Sequence, residues 1–154
     1  MKLSTKGRYG LRAMVDLALY AEDGPVSIAS IAARQRISES YLEQLIAKLR
    51  RAGLVCSLRG AAGGYVPGRP AEEISVGDVL RALEGSLDPV DCPGLWEESG
   101  CEGSDVCVTK YVWQRINENI NRTVDEMLLS DLVAESRKVQ KKNQISVSGC
   151  EKKE

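Results

Sequence analysis

Three cysteines, Cys92, Cys101 and Cys107, lie in a short glycine-rich, acidic stretch of a 154-residue chain that contains no histidine. Thiolates bind iron–sulfur clusters and zinc, and an activated thiolate is also a redox nucleophile. The chain offers no clear pair of nucleophile and general base, so we expect no enzymatic activity. The residue types and their spacing indicate a metal centre or thiol redox chemistry.

The composition indicates in which compartment, and therefore in which redox state, these thiols are found. The N-terminal residues are charged rather than apolar and do not resemble a secretion signal, and charges interrupt the longest apolar runs. We therefore expect a cytoplasmic protein without membrane association, in which the five cysteines stay reduced. Cys56 is interpreted as a core or half-buried strand residue, and Cys150 as an incidental thiol of the tail.

The charge is distributed unevenly along the chain. Residues 1–70 contain 11 Lys and Arg against 5 Asp and Glu, whereas residues 71–154 contain 10 against 17. A basic first half attracts the phosphate backbone of nucleic acids, and the acidic second half is expected to face another partner.

The apolar spacing of the first half predicts three helices. The first runs from about Arg8 to Glu22, the second from the N-cap Ser27 to Gln35, and the third from the N-cap Ser38 to Gly53. The second and third helices, joined by a tight turn, match the helix–turn–helix pattern.

The third helix has a polar outward face because its leucines and isoleucine repeat on the opposite side. Gln can pair with adenine, Glu can accept from cytosine, and Lys or Arg can hold phosphates. The alternatives are a solvated helix face and, for Glu43, a capping box with Ser40. The residues predicted to contact DNA are Ser38, Ser40, Tyr41, Glu43, Gln44, Lys48 and Arg51.

A β-hairpin is predicted directly after this helix, with strands at 54–58 and 65–66 and a glycine-rich turn at 59–64. Such a hairpin is typical of the wing of a winged helix, and Arg59 at its tip is predicted to enter the minor groove. A nucleotide-binding P-loop is the competing interpretation, but the segment lacks the Gly-Lys-Ser/Thr ending.

The second half of the chain is predicted to hold a capped helix, a loop and a long helix. Ser75 and Asp78 form a capping box, and Gly85 ends that helix. The long helix is predicted from about Val106 to Leu129, with an apolar stripe formed by Val112, Ile116, Ile120, Val124 and Met127 or Leu128. This stripe predicts a homodimer that places two recognition helices on a palindromic operator. A final helix, capped by Ser130, is predicted to reach about Lys142.

These elements give a mainly α fold with a small β-hairpin wing. Residues 1–85 form the winged helix–turn–helix domain, 86–105 the cysteine-containing cluster loop, 106–143 the dimerisation helix and final helix, and 144–154 a disordered tail.

Four segments resemble the Rrf-two family of winged-helix regulators over about residues 1–143. They are Met1–Gly10, Ser38–Leu45, Arg59–Tyr65 and Ile74–Val79. The resemblance implies a dimeric transcription factor, in most members a repressor, with double-stranded operator DNA as its partner.

Two branches of the family differ in the cysteine segment. IscR-like members hold a 2Fe–2S cluster with three cysteines and a histidine three residues after the last one, which implies Cys92, Cys101 and Cys107 as ligands here. Lys110 stands at the histidine position and is a poor ligand. The candidates for the fourth ligand are then Asp105, Glu102, Cys150, a residue of the partner subunit or a small thiol.

CymR-like members lack the triad and imply a cofactor-free regulator with a sulfur-metabolism enzyme as partner. Zinc and unligated redox thiols are the further alternatives.

Overall fold

The structure is a computed structural model that describes residues 3–93, 95, 96 and 100–150, the last six of these as backbone alone. The helices are α1 (Thr5–Tyr20), α2 (Ile28–Gln35), α3 (Glu39–Arg51), α4 (Val76–Glu84), α5 (Lys110–Glu126) and α6 (Leu129–Cys150). Two strands, β1 (Val55–Leu58) and β2 (Gly64–Pro67), pair as an antiparallel hairpin. The predicted mainly α fold with a hairpin wing is confirmed. In the described part of the chain, no helix is long and apolar enough to cross a membrane.

Serine side chains start four of the helices. The predicted caps at Ser27 and Ser38 accept hydrogen bonds from Ser30 N and Tyr41 N, both at 3.2 Å, and Ser75 forms the predicted capping box with Asp78. A fourth cap was missed: Ser4 accepts from Lys6 N at 3.1 Å. Consequently α1 begins at Thr5, three residues before the predicted start.

Two glycines allow α1 and α4 to cross closely. A Cβ atom on Gly7 would lie 2.6 Å from Glu84 Oε1, and one on Gly10 would lie 2.1 Å from Leu83 Cδ1. In that space Glu84 Oε1 accepts hydrogen bonds from Ser4 N at 2.9 Å, Ser4 Oγ at 2.7 Å and Gly7 N at 2.9 Å. The end of α4 thus caps the start of α1.

An ion pair with a buried carboxylate joins α1 to α2. Asp16 is 4% exposed and receives Arg34 Nη2 at 2.6 Å and Gln35 Nε2 at 2.8 Å. The Arg34 guanidinium also lies 4.0 Å from the centre of the Tyr20 ring. Because a buried carboxylate needs such partners, this contact fixes how α2 sits on α1.

The hairpin packs on α1 and α3 and is hydrogen-bonded to the segment that joins α1 to α2. Val26 and Tyr65 exchange backbone hydrogen bonds of 2.9 and 2.8 Å, and Val55, the first residue of β1, is buried. Cys56, which pairs with Val66, is exposed, so its interpretation as a core or half-buried residue is wrong. Only the first residue of β1 faces the core, because the hairpin projects beyond it.

The boundaries of the last two helices differ from the prediction. Residues 101–106 form turns closed by Ser104 N to Cys101 O and Val106 N to Gly103 O, so α5 begins at Lys110 rather than Val106. Met127 is extended, and its carbonyl accepts from Val76 N at 2.8 Å, which separates α5 from α6. The helix α6 starts at Leu129 and continues to Cys150 rather than ending near Lys142. Residues 151–154 lie outside the described residues, and a disordered tail stays a prediction.

Candidate nucleic-acid interface and cysteine loop

The outward face of α3 is a polar surface on a rigid support. Leu42, Leu45, Ile46 and Leu49 are at most 2% exposed, which fixes the rotation of the helix on the core. The predicted contact residues that lie exposed on this helix and its cap are Ser38, Ser40, Glu43, Gln44 and Arg51. A helix held in this way can present amide, carboxylate and guanidinium groups to base edges and phosphates.

Tyr41 is half-buried and is held by α1. Its hydroxyl donates to Thr5 Oγ1 at 3.3 Å, and its ring meets Tyr9 edge-on with centroids 6.2 Å apart. The start of α1 therefore lies beside the start of α3, an adjacency that sequence reasoning missed. The capping serine at position 4 was the available signal.

Lys48 is also half-buried and lies near the end of α4. It lines, with Arg51 and Arg81, an open cleft of about 460 Å³ between the C-terminal ends of α3 and α4. The two cations of α3 suit a backbone phosphate, whereas Arg81 is paired with Asp125 and Glu84 adds a carboxylate to the lining. The sequence patterns gave no indication that Arg81 of α4 would join this group.

Arg59 is exposed at the tip of the wing, directly after β1. Gly60 follows with φ +117°, a conformation that L-residues rarely adopt, so the turn itself requires glycine there. The wing thus carries one cation, Arg59, at its tip.

The cysteine loop consists of short turns. Leu95 N donates to Cys92 O at 3.1 Å, and Ser104 N donates to Cys101 O at 3.0 Å. Cys101 is exposed, and Cys92 and Cys107 are half-buried. Among the residues that the structure describes, no three cysteine or carboxylate side chains gather closely enough to hold a metal ion. The residue types are nevertheless those that bind an iron–sulfur cluster, because three accessible thiols lie on one loop.

Cys107 lies just before α5 and has an activated thiol. Its Sγ is 3.2 Å from Thr109 Oγ1. The hydrogen bond with Thr109 and the backbone N–H of Lys110 lower the pKa of Cys107 below its ordinary value, and they outweigh the opposing effect of desolvation. A thiol with a lowered pKa is more readily deprotonated and is a better metal ligand.

Lys110 stands at the position of the family's histidine ligand, but its side chain forms hydrogen bonds within the loop. Its Nζ donates to Ser104 O at 3.1 Å and to Ser104 Oγ at 3.2 Å, and Ser104 is 3% exposed. The ammonium group closes the turn between Cys101 and Cys107. An ammonium engaged in this way offers no lone pair to a metal.

A winged helix–turn–helix followed by a cysteine loop and a long helix defines a class of transcriptional regulators. Residues 3–135 match the family model Rrf2, described as "Iron-dependent Transcriptional regulator", and the chain belongs to this family. The predicted resemblance is thereby confirmed, and the chain is a transcriptional regulator rather than an enzyme.

Relatives in both sequence and structure agree with this assignment. The regulator IscR of Serratia proteamaculans is 46% identical over 133 residues, which cover 86% of this chain and 79% of IscR. A solved structure of T. potens IscR is 46% identical with a TM-score of 0.72 and covers 91% of each chain. CymR, the global cysteine regulator of B. subtilis, is 43% identical with a TM-score of 0.72, covering 87% of this chain and 97% of CymR.

Proposed function

We propose that this chain is a dimeric, sequence-specific repressor that binds operator DNA and senses an iron–sulfur cluster, 2Fe–2S in type, through Cys92, Cys101 and Cys107. The observation that carries the proposal is the combination of an exposed polar face on α3 with three accessible thiols on the loop that leads into α5. The names of the IscR relatives support the same class of regulator.

The DNA-binding part rests on the α3 face and the wing. Glu43 and Gln44 point away from the core near the start of α3, where base edges are commonly read. Lys48, Arg51 and Arg59 supply cations around them for phosphates and the minor groove. The predicted base readers and backbone contacts thus occupy different parts of one surface.

The sensing part rests on the chemistry of the loop. A bound cluster would supply redox and ligand-exchange chemistry, and the thiolates of the triad would hold it. Lys110 keeps the turn that carries Cys101 and Cys107 closed through Ser104. The fourth ligand would come from Asp105 or Glu102, both exposed in the same turn, from Cys150, from the partner subunit or from a small thiol.

The test is the metal content of anaerobically purified protein. We expect a coloured protein with iron and sulfide, and loss of both after Cys92→Ala, Cys101→Ala or Cys107→Ala. The matched control is Cys56→Ala, because Cys56 is exposed but lies on the wing. Loaded and cluster-free protein should also differ in affinity for operator DNA at one salt concentration. A colourless, iron-free and zinc-rich preparation would contradict the proposal in favour of a zinc site.

A cofactor-free, CymR-like regulator is the second candidate. It is favoured by the likeness to CymR and by the absence of a gathered metal-ligand set among the described side chains. Such a regulator would act through a sulfur-metabolism enzyme bound by its acidic half, or through oxidation of unligated thiols. Metal-free protein that still binds DNA specifically would support this candidate.

A further inference from the structure

A row of hydrogen bonds connects the cysteine loop to α4. Gln114 Nε2 donates to Leu95 O at 2.8 Å, which ties the turn that begins at Cys92 to α5. Asn117 Nδ2 donates to Asp88 Oδ1 at 2.8 Å. These two bonds hold the start and the middle of the loop against one face of the helix.

The same face continues towards α4. Asn121 Nδ2 donates to Asn117 Oδ1 at 2.6 Å, and Arg81 Nη1 donates to Asn121 Oδ1 at 2.9 Å. Arg81 also forms an ion pair with Asp125. We call this set the polar ladder; its α5 members are Gln114, Asn117, Asn121 and Asp125.

The polar ladder ends at Arg81 of α4, beside the cleft between α3 and α4. Arg81 lines the cleft between α3 and α4 together with Lys48 and Arg51, and α4 packs on α3 and α1 as well as on α5. The ladder therefore runs from the cysteine loop to the α4 side of the cleft that Lys48 and Arg51 line on α3.

Asn117 is the central member. It is 5% exposed and bonds in two directions, as a donor to the loop and as an acceptor for the next residue of the ladder. Directional bonds of this kind hold one arrangement and are lost together when one member moves, whereas apolar contacts tolerate sliding. A buried amide in this position thus couples the loop to α4 in a way that a leucine would not.

We propose that Asn117 is a positioning residue that couples the cysteine loop, held at Asp88, to the C-terminal cationic end of α3 through Asn121 and Arg81. The proposal deepens the proposed function and rests on it. Because coupling between two sites is reciprocal, DNA binding must also alter the loop.

The test compares Asn117→Leu with Asn119→Leu in the full chain. Asn119 lies on the same helix, but among the described residues its amide bonds to Arg115 O and Arg122 alone, within α5. The probe is a DNA fragment selected from a random pool by the wild-type protein. Thermal unfolding and sedimentation confirm that both variants fold and keep the wild-type mass.

The first readout is the ratio of DNA affinities of loaded and cluster-free protein. We expect a ratio of at least about fivefold for wild type and Asn119→Leu, falling to within about twofold of unity for Asn117→Leu at unchanged iron content. An unchanged ratio in Asn117→Leu, or an equal fall in both variants, would overturn the inference.

The second readout does not require a cluster. Hydrogen exchange of residues 86–95 is measured with and without DNA in cluster-free protein. DNA should slow exchange there in wild type and in Asn119→Leu, and have no effect in Asn117→Leu. If DNA changes exchange equally in all three proteins, or in none, the inference is wrong. Wild-type protein without iron would instead count against the proposed sensing function, and the exchange data would still decide the role of Asn117.

Discussion

Gln44 and Lys48 lie one turn apart on α3 but are placed to contact different parts of DNA. Gln44 is exposed on the reading face, whereas Lys48 is half-buried beside the cationic cleft. We expect Gln44→Ala to reduce discrimination between operator and random DNA by about 1–3 kcal/mol. Lys48→Ala should weaken binding to both and reduce the slope of log affinity against log salt by about 1.

Titration of each variant with operator and random DNA at several salt concentrations measures both quantities. Equal losses on the two DNAs for Gln44→Ala would remove it from the reading face. Glu22→Ala, at an exposed site in the turn after α1, is the control and should change neither quantity.

The carboxylate of Glu84 makes the free energy of unfolding depend on pH. Partial burial raises the pKa of Glu84, but the hydrogen bonds from Ser4 and Gly7 and the charge of Lys6 outweigh it, so the pKa lies below its ordinary value. The stabilisation by the ionised carboxylate is therefore present above the unfolded-state pKa and is lost as the pH falls through the folded-state pKa.

Glu84→Gln is expected to lower the free energy of unfolding by about 1 kcal/mol at pH 7, a value discounted for partial exposure. The difference from wild type should shrink as the pH falls from about 5 to about 3. Urea unfolding across this range measures it. Glu72→Gln, at an exposed site, should show no difference, and a Glu84→Gln deficit that persisted at low pH would contradict the charge-based explanation.

The helix caps could be predicted from the sequence, whereas the contacts of Lys110 and the exposure of Cys56 could not. Ser27, Ser38 and Ser75 were predictable as caps because capping depends on neighbouring residues alone. The role of Lys110 depends on Ser104 in a folded turn, and the exposure of Cys56 depends on how far the hairpin projects. Neither the Lys110 contact nor the exposure of Cys56 can be read from the spacing of apolar residues along the chain.

The close crossing of α1 and α4 limits the size of the side chains between the two helices. Gly10→Ala gains up to about 1 kcal/mol of helix propensity but forces a methyl group against the buried Leu83, an overpacking cost of about 1–3 kcal/mol. We expect a net loss of about 1–2 kcal/mol in the free energy of unfolding.

Chemical denaturation of Gly10→Ala measures this loss. Gly103→Ala is the control because a Cβ atom there meets open space. A Gly10→Ala protein more stable than wild type would mean that helix propensity prevails and that α1 and α4 are not in close contact.

The helices of the first half were predictable to within a few residues, because each combines an apolar face with a local cap. The start of α5 was not, since Val106 and Val108 continue the apolar pattern of the helix but lie before its first residue, after turns held by Lys110. The predicted stripe on α5 also divides: Ile120 and Val124 pack inward, whereas Val112 and Ile116 are exposed.

The exposed part of the apolar stripe on α5 is the reason to expect a dimer. Val112 is 50% exposed and Tyr111 67% exposed on a helix that otherwise packs on its own domain. Large exposed apolar side chains in a row are typical of a protein–protein interface. We expect Val112→Asp to convert a dimer into a monomer and to lower operator affinity, because two linked recognition helices then become one.

Analytical ultracentrifugation measures the mass of the variant. Leu58→Asp replaces a similarly exposed aliphatic residue, 49% exposed, on the wing and should leave the mass unchanged. A Val112→Asp protein that remained dimeric would place the interface elsewhere.

The positions of the two tryptophans have a practical consequence for the whole molecule. Trp96 follows Leu95 in the cysteine loop and is 57% exposed, and Trp113 lies in the first turn of α5, whereas residues 1–85 contain no tryptophan. Emission excited at the indole band therefore arises from the loop and its helix, with no background from the DNA-reading domain. The protein carries its own fluorescent reporter of the cysteine loop, and binding of a ligand there can be followed in solution without attaching a dye.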